Sequence, residues 1–247
     1  MPRPDDGMSK PARMQGRSLV DCIRAQYRSD NEDAARLQNS FSTVLSGQDI
    51  LAIYDRPKAM FAIREGIAIR YRETKDGMRH ILAFLLPGDV CNPNPYAVRS
   101  FDHVVSAITD VVVEQIPLSQ IQTLFANDGA GQTVLWEHVE MEHAGMLARI
   151  ATLECHDARQ RVVQILGDLT CRSLGDRRDR TSLRLPLTQT HLGDAAGLTA
   201  VHVNRVLRML RLQGLIETQR GSVIVLNPDM FCRLAHQPQA IETIAIS

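Results

Sequence analysis

The sequence predicts an α+β protein: an N-terminal roll of short β-strands, one long helix, and a C-terminal pair of short helices followed by a β-hairpin. Three observations predict it. Between Asp49 and Pro117, apolar and polar residues alternate with period two, and turn residues interrupt them about every ten positions. From Gly131 to Leu153 the apolar period changes to that of a helix. Near the C-terminus, two short amphipathic stretches are separated by one glycine-centred turn. At 247 residues the chain is long enough for two cores, and 44% hydrophobic with 23% charged residues is ordinary for a globular protein. No apolar run approaches the ~18 residues of a membrane span.

Taken in order, residues 1–30 are expected to be a disordered leader, because their scattered Arg and Lys surround no apolar stretch of the kind a secretory signal needs. The roll is expected over 31–130. Ile67, Ile69 and Tyr71 alternate with Ala68, Arg70 and Arg72, Lys75-Asp76-Gly77 makes a hairpin turn, and His80, Leu82 and Phe84 alternate again up to Pro87-Gly88. Val104, Ser106 and Ile108, then Val111 to Ile116, supply two further strands. The helix expected over 131–154 carries Leu135, Val139, Met146, Ile150 and Leu153 on one stripe with Glu142 in its gap, and Ala144, Leu147, Ala148 and Ala151 on a second. Two apolar stripes imply two packing partners. The set Leu135, Val139, Glu142, Met146, Ile150 and Leu153 is assigned to a homodimer seam, although both stripes can also pack within one chain.

The segment 155–229 is expected to be a separate domain, followed by a tail over 230–247. Asp157 can cap a helix bearing Val162, Val163, Ile165, Leu166 and Leu169, and the charged loop Gly175 to Arg184 follows it. A helix-turn-helix is then read over 188–210. Thr188 is a plausible N-cap; Leu192, Ala195 and Ala196 form a buried side; Gly197 sits where the chain needs a left-handed residue. Thr199 caps the next helix. Neither cap has Glu or Gln at the third helical position, so no full capping box is expected. In the second helix Val203, Val206, Leu207 and Leu210 fall at i, i+3, i+4 and i+7, while Ala200, Val201, Asn204, Arg205 and Arg208 point away from them. Small and hydrogen-bonding residues at the N-terminal end, with arginine further along, suit a helix that enters a major groove. Leu215 to Glu217 and Ser222 to Leu226, turned by Arg220-Gly221, make a wing whose tip can reach phosphate. The formal net charge is zero, but from Asp157 to Arg233 there are 12 arginines and no lysine against 7 acids. The positive excess therefore lies on the half that carries these helices.

The stretch from Asp157 to Pro228 resembles the DNA-binding domain of the Crp/Fnr family, and Thr199-Ala200-Val201-His202-Val203-Asn204-Arg205 is similar to that family's recognition helix. The Leu86-Pro87-Gly88-Asp89 turn within a roll, followed by a long helix, resembles its sensor half. The resemblance implies a cyclic-nucleotide-binding-like roll, a dimerising central helix, a winged helix-turn-helix and a palindromic DNA target. It also implies a cytoplasmic bacterial regulator with RNA polymerase as a further partner. It places Arg205 on a G·C pair, and Ala200, Val201, His202, Asn204 and Arg208 on the same face. Thr188, Gln189, Thr199 and Arg220 fit phosphate positioning. Family members carry Glu where this chain has Val201, which can touch a thymine methyl but accepts nothing from cytosine. The usual half-site is therefore not expected.

No cofactor or metal is expected. The family's Gly-Glu pair is replaced by Asn92-Pro93, followed by Asn94-Pro95, and proline has no N–H for a phosphate. Its Arg-Ser pair aligns with Phe101-Asp102, with Arg99-Ser100 two residues early, so a response to cyclic AMP is not expected. Cys22, Cys91, Cys155, Cys171 and Cys232 are too dispersed for a four-thiolate cluster or a disulfide framework. An effector-responsive member remains the alternative: redox through Cys91, metal through His138, Glu142, His143 and Cys155-His156, or haem through His80, His103 or the Pro2 terminus. A ligand-binding module whose helix-turn-helix contacts protein is another. No nucleophile elbow, P-loop, H-E-x-x-H or dinucleotide fingerprint suggests an enzyme.

Overall fold

The computed structural model describes residues 19–26, 37–56, 58–93, 100–127, 130–155, 157–174 and 181–236. The elements run α1 (Leu19–Gln26), β1 (Ser40–Val44), β2 (Asp49–Leu51), β3 (Ala59–Glu65), β4 (Ala68–Glu73), β5 (Arg79–Leu85), β6 (Val104–Ala107), β7 (Val111–Pro117), α2 (Leu118–Asn127) and α3 (Ala130–Cys155). They continue with α4 (Ala158–Leu174), β8 (Leu183–Leu185), α5 (Gln189–Ala196), α6 (Ala200–Leu212), β9 (Ile216–Gln219), β10 (Ser222–Val225) and α7 (Pro228–His236). The architecture is mixed: an N-terminal β-roll, a long helix and a helical C-terminal half.

The roll consists of two antiparallel sheets, β1-β7-β3 and β2-β6-β4-β5. Ile63, Val111 and Val113 of the first share an apolar interior with Ala68, Leu85, Val105 and Ala107 of the second. A second cluster covers the other side of β3 and β7, where Met60, Ala62 and Ile116 meet Leu19, Val20 and Ile23 of α1, Ile121 of α2 and Leu135 of α3. A third runs from the outer face of the β4–β5 hairpin (Ile69, Ile81, Phe84) into α4, α5, α6, the wing and α7. The C-terminal half is therefore packed directly on the roll.

Several expectations are corrected. Residues 19–26 of the supposed leader are helical, because Leu19, Val20 and Ile23 are fully buried. The buried Glu114 carboxylate on β7 accepts from the N–H of Leu19 (2.7 Å) and of Val20 (3.2 Å) at the start of that helix. The supposed tail begins with α7, where Asn227 Oδ1 accepts from Met230 N (3.0 Å), Pro228 takes the first helical position, and Phe231 and Leu234 are buried. On β5, Ile81 rather than His80 and Leu82 faces inward. The pairing of β4 with β5 skips Leu82, since Tyr71 faces Ile81 and Arg70 faces Ala83, and a one-residue bulge exchanges the faces. Arg70 is 8% exposed rather than on the solvent side of its strand.

On α3, Leu135 belongs to the intrachain core and Glu142 pairs with Arg70, so neither is free for a seam between subunits. Val139 is half-buried, while Met146, Ile150 and Leu153 remain exposed, as do Trp136 and Leu147 on the adjoining arc. Truncating Phe231 to Ala is expected to cost ~3–5 kcal/mol, the usual range for a buried aromatic. A urea titration reads this as a lower midpoint; an unchanged midpoint would place α7 outside the cooperative core.

Candidate nucleic-acid interface

The C-terminal half is organised around α4. Its N-terminus is a reciprocal box: Gln160 N donates to Asp157 Oδ1 (2.8 Å) and Asp157 N donates to Gln160 Oε1 (2.9 Å). Val162, Val163, Leu166 and Leu169 form its buried side. α5 also starts with a complete box, against expectation, because His191 supplies what Glu or Gln usually does. His191 N donates to Thr188 Oγ1 (3.1 Å), and Thr188 N donates to His191 Nδ1 (3.3 Å). Burial first, then the nearby Arg79 charge, hold the His191 imidazole below its ordinary pKa, with Asp194 opposing.

The turn between α5 and α6 is tight. Gly197 is left-handed (φ 64°, ψ 41°), and both its N–H and that of Leu198 donate to Gly193 O. A Cβ at Gly193 would lie 2.9 Å from Leu198 O. The turn can fold back onto α5 this closely only if position 193 has no side chain. The sequence signal for this was a second glycine four residues before Gly197.

Thr199 caps α6, its hydroxyl accepting from His202 N (3.5 Å) and lying 3.0 Å from His202 Nδ1. Val203, Val206, Leu207 and Leu210 are buried, which turns the other face to solvent. Ala200, Val201, His202, Asn204, Arg205 and Arg208 are all exposed, and Val201 is 76% exposed. Gln189 is exposed at the start of α5, Thr188 is half-buried, and Thr199 is exposed. The wing is a three-stranded sheet in the order β8-β10-β9, with exposed Arg220 at the turn before Gly221 (φ 73°). Arg177, Arg178 and Arg180 lie outside the described residues.

Three arginines that sequence reasoning gave no role fasten this half to the roll. Arg79 Nε donates to Asp194 Oδ2 of α5 (2.7 Å). Arg172 of α4 pairs with Asp89 in the Pro87-Gly88 turn and donates to Phe84 O (3.1 Å). Arg149 of α3 donates from Nη2 to both Ile81 O of β5 and Ala195 O of α5. Their signal was their position opposite acids and carbonyls far along the chain, which no local pattern reveals.

Among the described residues, the groups that would face a cyclic nucleotide's phosphate are already engaged. The N–H groups of Gly88, Asp89 and Cys91 donate to Ile63 O, Leu86 O and Phe61 O, so they are already committed. Asn92, which aligns with the family's phosphate loop, is bound through its side chain to Phe61 N and Ala59 O (both 2.8 Å). Phe101 is packed in the interior. Residues 94–99 lie outside the described residues. The Arg70 guanidinium lies on the inner face of β4, donating to Cys91 O (2.9 Å) and pairing with Glu142 of α3. Burial lowers the Arg70 pKa, with the Asp89 and Asp102 charges opposing.

Burial also pushes the Cys91 thiol up to about 12, which leaves little thiolate for redox chemistry. Of the suggested metal set, Glu142 is engaged by Arg70 and His143 is exposed; the side chains of His138 and Cys155, and residue 156, lie outside the described residues. His80 is exposed, and His103 Nδ1 lies 2.8 Å from Asp102 Oδ1. Among the described residues, no group of three His, Cys, Asp or Glu is placed to hold a metal, and no helix is long and apolar enough to cross a membrane.

Comparison with known proteins follows the same division. The cyclic nucleotide-binding domain family matches residues 42–128, and the Crp-like helix-turn-helix domain family matches residues 160–234. The fumarate and nitrate reduction regulatory protein of Shigella dysenteriae is 23% identical over 192 residues, covering 78% of this chain and 77% of the relative. Electron transport regulator A of Shewanella oneidensis is 24% identical over 184 residues, covering 74% of each. Among solved structures, FixK2 from Bradyrhizobium japonicum superposes with a TM-score of 0.70 at 24% identity, covering 80% of this chain and 98% of that one. A CRP-family transcriptional regulator from Thermus thermophilus gives 0.66 at 21% identity, covering 79% and 97%.

The His191 box makes a pH prediction. A histidine whose folded pKa lies below its unfolded value stabilises the fold above the unfolded pKa, ~6.5, and that stability is lost as pH falls through the folded value. His191→Gln keeps a box but does not titrate. The variant is expected to match the parent at pH 7.5 in denaturant midpoint and to lose less stability between pH 6.5 and 5. Equal losses would mean that His191 does not report acid.

Proposed function

The chain belongs to the Crp/Fnr family of DNA-binding transcriptional regulators, and on that premise we propose that it grips a palindromic duplex as a homodimer, one α6 in each half-site. The observation that carries this reading is the outward face of α6. An unbroken exposed set of Ala200, Val201, His202, Asn204, Arg205 and Arg208 starts at a capped helix N-terminus, where backbone N–H groups favour phosphate. Arg205 reads guanine through its forked guanidinium, and Val201 lies where a thymine methyl can cover it. Thr188, Gln189 and Thr199 set the register on the backbone, and Arg220 of the wing meets a flanking phosphate.

The dimer seam proposed here is the arc of α3 turned away from its own chain. Trp136 (61% exposed), Leu147 (54%) and Ile150 (57%) lie on it, with exposed Ala144 and Ala151 flanking Leu147. An apolar arc of this kind on a long helix favours burial against a twofold copy. This transfers the seam from the Leu135–Glu142 side to the Leu147 side, while keeping Ile150. The reading does not include cyclic AMP, since the N–H groups of Gly88, Asp89 and Cys91 are engaged and Pro93 and Pro95 have none to offer.

Two substitutions test the reading on a duplex selected from random sequence. Arg205→Ala is expected to lose ~1–3 kcal/mol of discrimination at one base pair per half-site, with far-ultraviolet circular dichroism unchanged. Arg220→Ala is expected to weaken all duplexes alike and to reduce the slope of log affinity against log salt by about one contact per subunit. A mobility-shift titration at fixed salt in which Arg205→Ala binds its selected duplex as tightly as the parent contradicts the assignment.

A further inference from the structure

A cavity of about 380 Å³ lies outside the roll interior, where β5, α3, α4 and the end of α5 meet. Its walls are largely apolar, with Leu82 and Phe84 from the roll, Met146 from α3, and Ile165 and Leu169 from α4. The acids that also line it, Asp89, Glu142 and Asp168, are each paired with an arginine other than Arg149. Two of its arginines are engaged elsewhere: Arg172 with Asp89 and Asp168, and Arg161 with the carbonyls of Leu153 and Ala196. Arg149 differs. Its two hydrogen bonds leave from Nη2 and end on neutral backbone carbonyls, Ile81 O and Ala195 O, so among the described residues no carboxylate hydrogen-bonds it. Burial lowers its pKa, with the Asp168 charge opposing. An arginine has five donors in a planar fork, and those on Nε and Nη1 are not used by these bonds. A largely desolvated guanidinium with unshared donors beside apolar walls is best matched by a ligand with one carboxylate and an apolar body.

We propose that this cavity binds a medium-sized apolar monocarboxylate, its carboxylate on Arg149 and its body between β5 and α4. Such a ligand touches the roll, the long helix and the DNA-binding half at once. It lies on the arc of α3 roughly opposite Leu147, which is two residues from Arg149 and therefore about 160° around the helix. Gly145 also lines the cavity, and a Cβ there would meet nothing within 4 Å. A large side chain at 145 can therefore fill the space and leave Arg149 in place.

The test is calorimetric titration of the full chain with decanoate and with 1-naphthylacetate, using decan-1-ol as the uncharged counterpart of decanoate. One acid site per chain is expected, with the alcohol weaker by at least roughly tenfold, the low end for losing a hydrogen bond to a charged group. Gly145→Phe should abolish binding of the acids, and Arg149→Gln should remove the preference for acid over alcohol. The proposal is overturned by absence of binding of both acids at millimolar concentration, by binding that survives Gly145→Phe, or by equal affinity for acid and alcohol. No DNA is present in the experiment, so its failure leaves the reading of α6 untouched.

Discussion

The structure depends on one apolar core that does not respect the boundary between its two halves. Ile69, Ile81 and Phe84 on the outer face of the β4–β5 hairpin are continuous with Val162, Leu166 and Leu169 of α4, Leu192 of α5, and Val203, Leu207 and Leu210 of α6. Burial of such side chains is worth roughly 1.5–3 kcal/mol each, which dominates any surface ion pair in the molecule. Because the inward side of α6 is committed to this core, its outward side is defined without reference to any ligand. The helix does not have to be ordered by DNA in order to present Val201, Asn204 and Arg205.

Polar groups refine what the core fixes. Arg79, Arg149 and Arg172 each come from a different element, and each joins the roll to the DNA-binding half through a carboxylate or a carbonyl. Breaking one leaves a desolvated guanidinium or an unpaired acceptor, which is more costly than the bond itself is favourable. This gives the junction a defined geometry. Arg70, paired with Glu142, does the same from the inner face of β4 toward α3.

The legible parts of the fold were those specified locally. The helix-turn-helix was visible because Thr188, Gly197 and Thr199 mark ends within a dozen residues and because Val203, Val206, Leu207 and Leu210 repeat with the period of a helix. The roll was visible through its turns, and the exposure of the α6 face followed from the same periodicity. The remainder depends on distant partners. α1 is stabilised by Glu114, more than ninety positions away, and α7 by packing on α4, although the Asn227-Pro228-Asp229 start was a local signal that sequence reasoning passed over. The bulge at Leu82 breaks strict alternation, whereas Arg70 keeps it on a strand that is buried on both faces, so a period-two rule that leaves one face in solvent misplaces both. On α3, apolar periodicity located two stripes, but nothing in the pattern distinguishes the one that meets the roll from the one that stays outside.

The central claim is that two copies of the exposed α6 face read one duplex symmetrically. Hydroxyl-radical footprinting of the full chain on a selected duplex tests it most directly. The account predicts two protected patches related by a twofold axis, centred about 10 base pairs apart, one turn of the double helix. A single unpaired patch, or uniform protection that disappears with modest added salt and shows no sequence preference, would contradict it.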